Sequence, residues 1–405
     1  MSTAPTALDL TGLRTAPAQL WGAIRLVPLV REQPITDLRL HERLYPEDAG
    51  LVELGRRASY ASYVPHAFVA DWSSDGSPVA AYGSWLGGPA ERAAPPSMDL
   101  RLHQRLARRE KHTRPDGGTS RRRLRFLPLH LALEGFLSLH FGGPTIAWAE
   151  WSQQAVRSGL SPRAEEALLG GRVRGLADAL RHFEIHPGQC GVLLYTGDAL
   201  AAAFVVPHPE DYRALHPSLV QDLYGELVYH YTSLMLPLDD FRATIAGPGI
   251  RSLADLRAAA EEQESAWAHF HDGTMAAGLL AARHTFRAVH RMGRFTLSRF
   301  LPEFRLKQEN HLGETITDEH GRLAYLKTFR LSENQTRRGH LLSRLAAHDW
   351  RLSATAAELG CTEAQLGLRL ASAGLGFLLR QDVLDGFRRQ AGPAGRGAGG
   401  GPGAA

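Results

Sequence analysis

A chain of 405 residues, 44% hydrophobic and 22% charged, has the composition of a soluble globular protein of about two or three domains. Only Cys190 and Cys361 are present, which excludes a disulfide framework or a cysteine-built zinc site and points to a reducing compartment. No run approaches the roughly 18 apolar residues that span a bilayer, and the first ten residues lack a basic and an apolar signal region, so the expectation is a cytoplasmic protein with no membrane partner.

The net charge of +4 is unevenly placed. Between Arg101 and Arg125, ten basic residues stand against Glu110 and Asp116, a local +8 that leaves −4 for the remainder. Such a segment attracts anions locally without a global steering field. Arginine outnumbers lysine 43 to 3, a bias that genome composition alone can produce.

In chain order, residues 21–30 read as a strand, with Pro28 pushing it toward a sheet edge or a bulge. Residues 37–45 read as a second strand. Residues 60–72 and 79–85 flank a Ser/Asp/Gly/Pro turn and read as a hairpin. The basic segment 101–125 reads as a helix running into a loop at its Arg-Pro-Asp-Gly-Gly centre. Residues 129–141 are apolar nearly all round and predict a buried helix, with His130, Glu134 and Ser138 on one stripe. Helices are also expected over 146–157 and from the Ser161-Pro162 start.

Residues 188–231 form the spine of the chain. Two apolar runs meet at the turn Thr196-Gly197-Asp198, a buried hairpin. Pro207, Pro209 and Pro217 then break the chain. From Ser218, apolar residues at 219, 220, 223, 224, 227, 228 and 231 carry helical period. Residues 252–270 read as a helix and 276–295 as another, whose Arg283, Arg287, Arg291 and Arg294 share one face. A hairpin is expected from 314 to 330 around Asp318–Gly321. The Gly/Ala/Pro tail 391–405 reads as disordered.

The C-terminal segment 331–390 carries the most specific motif. Ser332 to Gln335 is a capping box, and Trp350 to Leu375 reads as helix, tight turn, helix. Gly360 supplies the left-handed position, and Thr362 to Gln365 caps the second helix. This resembles the Fis-type helix-turn-helix of bacterial regulators. The resemblance implies that Thr362, Gln365 and Arg369 approach a DNA major groove. Gly367 weakens that helix and Glu363 would face phosphates, so a packing module without DNA contact remains the alternative.

The body, about residues 10–330, resembles the ARG-and-rhodanese-phosphatase-superfamily-associated domain family. The resemblance lies in Trp21 to Leu29, Leu131 to Phe136, and Gly188 to Leu193 with the proline-punctuated run into 218–231. It implies a role near ADP-ribose or NAD metabolism, and no catalytic residue carries over.

Candidate chemistry is sparse. His130 and Glu134 on one helix, and Glu226 and His230 on another, could supply a carboxylate pair with imidazole neighbours for acid–base work; a solvated stripe is the alternative. His182 to His186 has the order His-x-Glu-x-His rather than that of a zinc helix, and Pro187 ends it. His269-x-His271-Asp272 is isolated, and Cys190 reads as a buried thiol rather than a nucleophile. Arg121, Arg122, Arg123, Arg283, Arg287 and Arg291 are candidates for anion binding. No metal or cofactor is expected. The fold class expected is α+β, a mixed or antiparallel sheet with helices, plus the small all-α C-terminal unit. The leading functional expectation is a non-enzymatic protein that senses a ligand or partner and binds double-stranded DNA or a partner protein through its C-terminus. Two alternatives stay open: an enzyme or binder of ADP-ribose- or NAD-type nucleotides, and a scaffold.

Overall fold

Apolar runs with no polar face have no place at a surface, and 24–31, 189–196, 199–205 and 323–330 are of this kind. The computed structural model describes residues 6–43, 51–53, 58–61, 67–71, 97–100, 105–108, 123–126, 183–218, 236–237, 244–245, 247 and 249–391. There these runs are neighbouring strands covered on both faces. In chain order the strands are β1 (Leu13–Thr15), β2 (Gln19–Trp21), β3 (Ile24–Arg31), β4 (Arg39–Arg43), β5 (Leu51–Glu53), β6 (Ala58–Ala61), β7 (Ala67–Asp71) and β8 (Ser97–Leu100). They continue with β9 (Arg105–Arg108), β10 (Arg123–Phe126), β11 (Gln189–Thr196), β12 (Ala199–Val205), β13 (His284–Met292), β14 (Phe295–Pro302), β15 (His311–Thr317) and β16 (Leu323–Arg330). The helices are α1 (Pro209–Ser218), α2 (Leu253–Phe270), α3 (Ala277–Leu280), α4 (Glu333–Ala347), α5 (Leu352–Glu358), α6 (Glu363–Ser372) and α7 (Gln381–Gln390). The protein is α+β.

The main sheet has nine strands in the order β1-β3-β11-β12-β16-β15-β14-β13, with β2 also on β3. Every pairing in it is antiparallel. The spine hairpin β11–β12, turning at Gly197 and Asp198, lies at its centre as the sequence implies. All eight residues of β3 and of β11 are buried, and seven of eight in β16. Laid flat, seven steps of about 4.8 Å would separate β1 from β13 by roughly 34 Å. The seven residues from Thr6 to Leu13 reach about 25 Å at full stretch. Thr6 nevertheless exchanges backbone bonds with His284 of β13 at 3.0 and 2.9 Å, so the sheet curls. Its core joins Val27 and Leu29, Leu193 and Tyr195, Leu200, Ala203 and Val205, Phe300, and Leu323 and Leu326 to Trp267 of α2.

Two smaller antiparallel sheets, β10-β9-β6-β5 and β4-β7-β8, complete the strands. Asp211 in the first turn of α1 anchors β4. Its carboxylate accepts three bonds from Arg39, at 2.7, 3.0 and 3.1 Å, and one from the Leu40 amide at 3.0 Å.

Several expectations need correction. Residues 276–295 are not one helix: α3 is four residues long, and Arg287 and Arg291 lie in strand β13, with Arg283 just before it. Gly293 at φ 57° opens a two-residue loop between Met292 and Phe295, the pattern of a type II′ hairpin. Within the basic segment, the described residues form strands β9 and β10 rather than a helix. Residues 60–72 are not one strand, since β6 and β7 belong to different sheets. The helix after the spine begins at Pro209, which tolerates the first helical turn, and Pro217 lies inside it; residues 219–235 are outside the described set. Pro28 is not at an edge, because β3 is paired on both sides. Its carbonyl accepts from Ala16, so its missing N–H faces the gap where the neighbour changes from β1 to β2. The expected helices over 129–141 and 146–157 and the tail beyond Ala391 lie outside the described residues.

The chain divides into two compact units. Among the described residues, the second comprises Phe304–Lys307 and the chain from Leu331. In it, both expected capping boxes are formed, Ser332 with Gln335 and Thr362 with Gln365. Gly367 in α6 is a seat rather than a weakness: a Cβ there would lie 2.3 Å from the Phe387 ring of α7. Gly367→Ala therefore lowers the thermal midpoint of the chain even though alanine favours an isolated helix by about 1 kcal/mol.

Two buried histidines set an acid limit on the first unit. Burial pushes His216 and His284 down to about 4, and His284 lies edge-on to Phe300 at 5.0 Å between ring centroids. Each is neutral when folded and takes up a proton on unfolding between its unfolded value and about 4. Their contribution is complete above about 6.5 and declines as pH falls, by about 1.4 kcal/mol per unit for each histidine. His284→Phe is expected to flatten this acid limb by one proton in urea titrations from pH 7 to 4.

Candidate functional site

Strand β11 ends at a turn, and a register shift between Leu194 and Tyr195 against β12 re-aims the chain there. Tyr195 meets the end of α2, where the helix loosens into a π-turn over His271–Met275. The Tyr195 hydroxyl lies 2.6 Å from His271 Nε2, and His271 Nδ1 lies 2.7 Å from Asp272 Oδ1. Burial lowers the His271 imidazole and raises the Tyr195 phenol. At neutral pH the carboxylate accepts from Nδ1–H, and Nε2 then accepts from the phenol, which fixes the tautomer. Arg25, directly across from Tyr195 on β3, places Nη1 3.6 Å from Asp198 and 3.6 Å from the Met275 sulfur.

An exposed acid is thus linked through an imidazole to a buried phenol, the order of groups that general-base chemistry uses. Asp272 is 58% exposed, whereas His271 is 0% exposed and Tyr195 is also fully covered. In this conformation the series locks the π-turn onto the sheet and gives no access to a substrate.

A second polar feature crosses four strands. Arg287, Arg299, Glu314 and Lys327 are successive cross-strand partners on β13 to β16. Arg299 Nε donates to Glu314 at 3.0 Å. Glu314 and Lys327 are both buried, opposite charges side by side on adjacent strands.

The sequence-derived candidates separate into three groups. His130, Glu134, Glu226, His230, Arg121 and Arg122 lie outside the described residues, and Arg123 is known only as a backbone position in β10. Arg283, Arg287 and Arg291 are exposed. Phe183 to His186 is irregular rather than helical. Cys190 occupies a bulge of β11 and is fully covered; burial pushes its thiol up to about 11, which removes it as a nucleophile. Among the described residues no group of three or more His, Cys, Asp or Glu could hold a metal ion, and no helix is long and apolar enough to cross a membrane.

Thr362, Gln365 and Arg369 lie in the second unit. A four-residue turn, Leu359 to Thr362 with Gly360 at φ 60°, joins α5 to α6. Thr362, Gln365 and Arg369 are all exposed, and their spacing puts them on one side of α6. Beside this face opens a cleft of about 390 Å³ lined by Arg337, Arg338 and Arg369, together with Asn334, His340 and apolar side chains.

Sequence reasoning missed the Tyr195–His271–Asp272 series because its partners are 76 residues apart. Asp272 beside His271 was the only local signal. Tyr195→Phe leaves Nε2 of His271 as a buried acceptor without its donor. It is expected to cost about 1–3 kcal/mol in chemical denaturation.

Neither a search of curated proteins nor one of solved structures gives a match. The family model described as ARPP-2 matches residues 8–293, a span that takes in the strands from β1 to β13 and the Tyr195–His271–Asp272 series. The chain belongs to the ARPP-2 family.

Proposed function

We propose that the C-terminal helical unit binds double-stranded DNA, and that the ARPP-2 body is a non-enzymatic partner that senses a ligand or another protein. The observation that carries this reading is the geometry of α5, its tight turn and α6. The second helix starts from a formed capping box and presents Thr362, Gln365 and Arg369 on one exposed side. An exposed polar face at the start of a second helix is what a recognition helix offers to base edges. The resemblance to Fis-type helix-turn-helix modules supports the same assignment.

Charge limits the strength of this binding. Among the described residues, five arginines of the unit pair with acids within it: Arg337 with Glu333, Arg344 with Glu358, Arg351 with Asp349, Arg380 with Asp382, and Arg388 with Asp385. Arg369 has no ion pair among the described residues. Few phosphates can therefore be neutralised, and affinity for duplex falls gently with salt. Anisotropy of a labelled duplex tests this. Arg369→Ala is expected to weaken binding and reduce the salt slope by about 1. A chain that binds no duplex at low salt, or a variant that binds with unchanged slope, refutes the assignment.

A further inference from the structure

We infer that the cleft between α4 and α6 is a binding site for a small organic phosphate of nucleoside diphosphate size. Its volume of about 390 Å³ lies in the range of small-molecule sites. Among the described residues that line it, three are arginines and none is acidic. Leu306, Leu341, Leu359 and Ala373 supply apolar surface between them, suited to the flat face of a base. Planar guanidinium forks match phosphate oxygens in pairs, whereas a carboxylate-lined cleft would repel them.

The arginines are placed for this task in different ways. Arg338 is aimed by its bond from Nε to the Ala373 carbonyl at the end of α6. Arg337, one residue earlier on α4, is held along its own helix by Glu333. Arg369 comes from the opposite wall and has no ion pair among the described residues. The Nδ1 atom of His340, also in the lining, is buried without a hydrogen-bond partner among the described residues. The inference stands without the duplex reading, because it concerns a separate ligand and the α4 wall.

The test uses the full chain and isothermal titration with ADP, CDP, adenosine and inorganic phosphate, each at up to about 1 mM. At least one nucleotide binds, and adenosine binds about tenfold or more weakly, because it lacks the charge-assisted bonds. Arg337→Ala weakens the nucleotide about tenfold, and Arg337→Ala with Arg369→Ala removes binding, while the thermal midpoint without ligand stays near that of the parent. If the double variant unfolds, Arg337→Gln, which keeps the helix, replaces it. Absence of binding by both nucleotides overturns the inference, as does undiminished binding in the double variant, which would place the ligand elsewhere. Duplex binding lost in Arg337→Ala without nucleotide binding would assign the cleft to DNA backbone phosphate and overturn it equally.

Discussion

The ladder between β12 and β16 holds the first unit together. It consists of four pairs, Ala202 with Phe329, Ala203 with Thr328, Phe204 with Lys327 and Val205 with Leu326. On one side lie β1, β2, β3 and β11, and on the other the meander β13 to β16 runs back so that its last strand reaches β12. More than a hundred residues separate the paired strands, so closing this seam costs loop entropy before any contact forms. Small alanines at 201 to 203 leave room for large cross-strand partners such as Phe329 beside Ala202. The Thr6–His284 bridge then ties the N-terminal end of the chain to β13 of the curled sheet.

The buried polar groups explain why the interior tolerates what it does. A buried charge is costly unless an opposite charge and hydrogen bonds surround it. Glu314 meets this condition by standing between Arg299 and Lys327 on neighbouring strands. The Tyr195–His271–Asp272 series meets it differently, with only the carboxylate reaching water and the neutral groups stacked behind. His216 and His284 meet it by remaining neutral, at the expense of stability in acid. The Tyr195–His271 bond and the Arg299–Glu314–Lys327 row tie separate elements, so they specify one register of the sheet as well as contributing to its stability.

Much of the scaffold was legible from local chemistry. The turn at Thr196–Asp198, the Asp318–Gly321 turn, the Ser252 start of α2 and the two C-terminal capping boxes are all short-range signals, and each marks an element boundary in the structure. The region 276–295 misleads for a geometric reason. Residues four apart lie within about 40° of each other on a helix, and on one face of a strand as well, so the spacing of Arg283, Arg287 and Arg291 fits both. Gly293 and the β-favouring Thr285 and Phe286 were the discriminating residues. Strands of four residues such as β9 and β10 are too short to show a period and owe their form to their partners. The polar series at Tyr195 was illegible, since neither 195 nor 271 reveals the other.

In the C-terminal unit the same residue type does opposite work depending on its neighbours. Eight arginines against six acids between 331 and 390 give almost no net field, and a count alone would deny the unit any taste for anions. The arrangement changes that conclusion. Pairs such as Arg344–Glu358, joined further by His348 at 2.8 Å, lie between α4 and α5 and use up charge to fix helix orientation. Gly339, whose missing side chain makes room for the Phe304 ring, lets α4 pack closely on its neighbours. Among the described residues that line the cleft are three arginines and no acid. Arg369 forms no ion pair among the described residues, so an anion can approach it from the cleft without displacing a described carboxylate, even though the unit as a whole is nearly neutral.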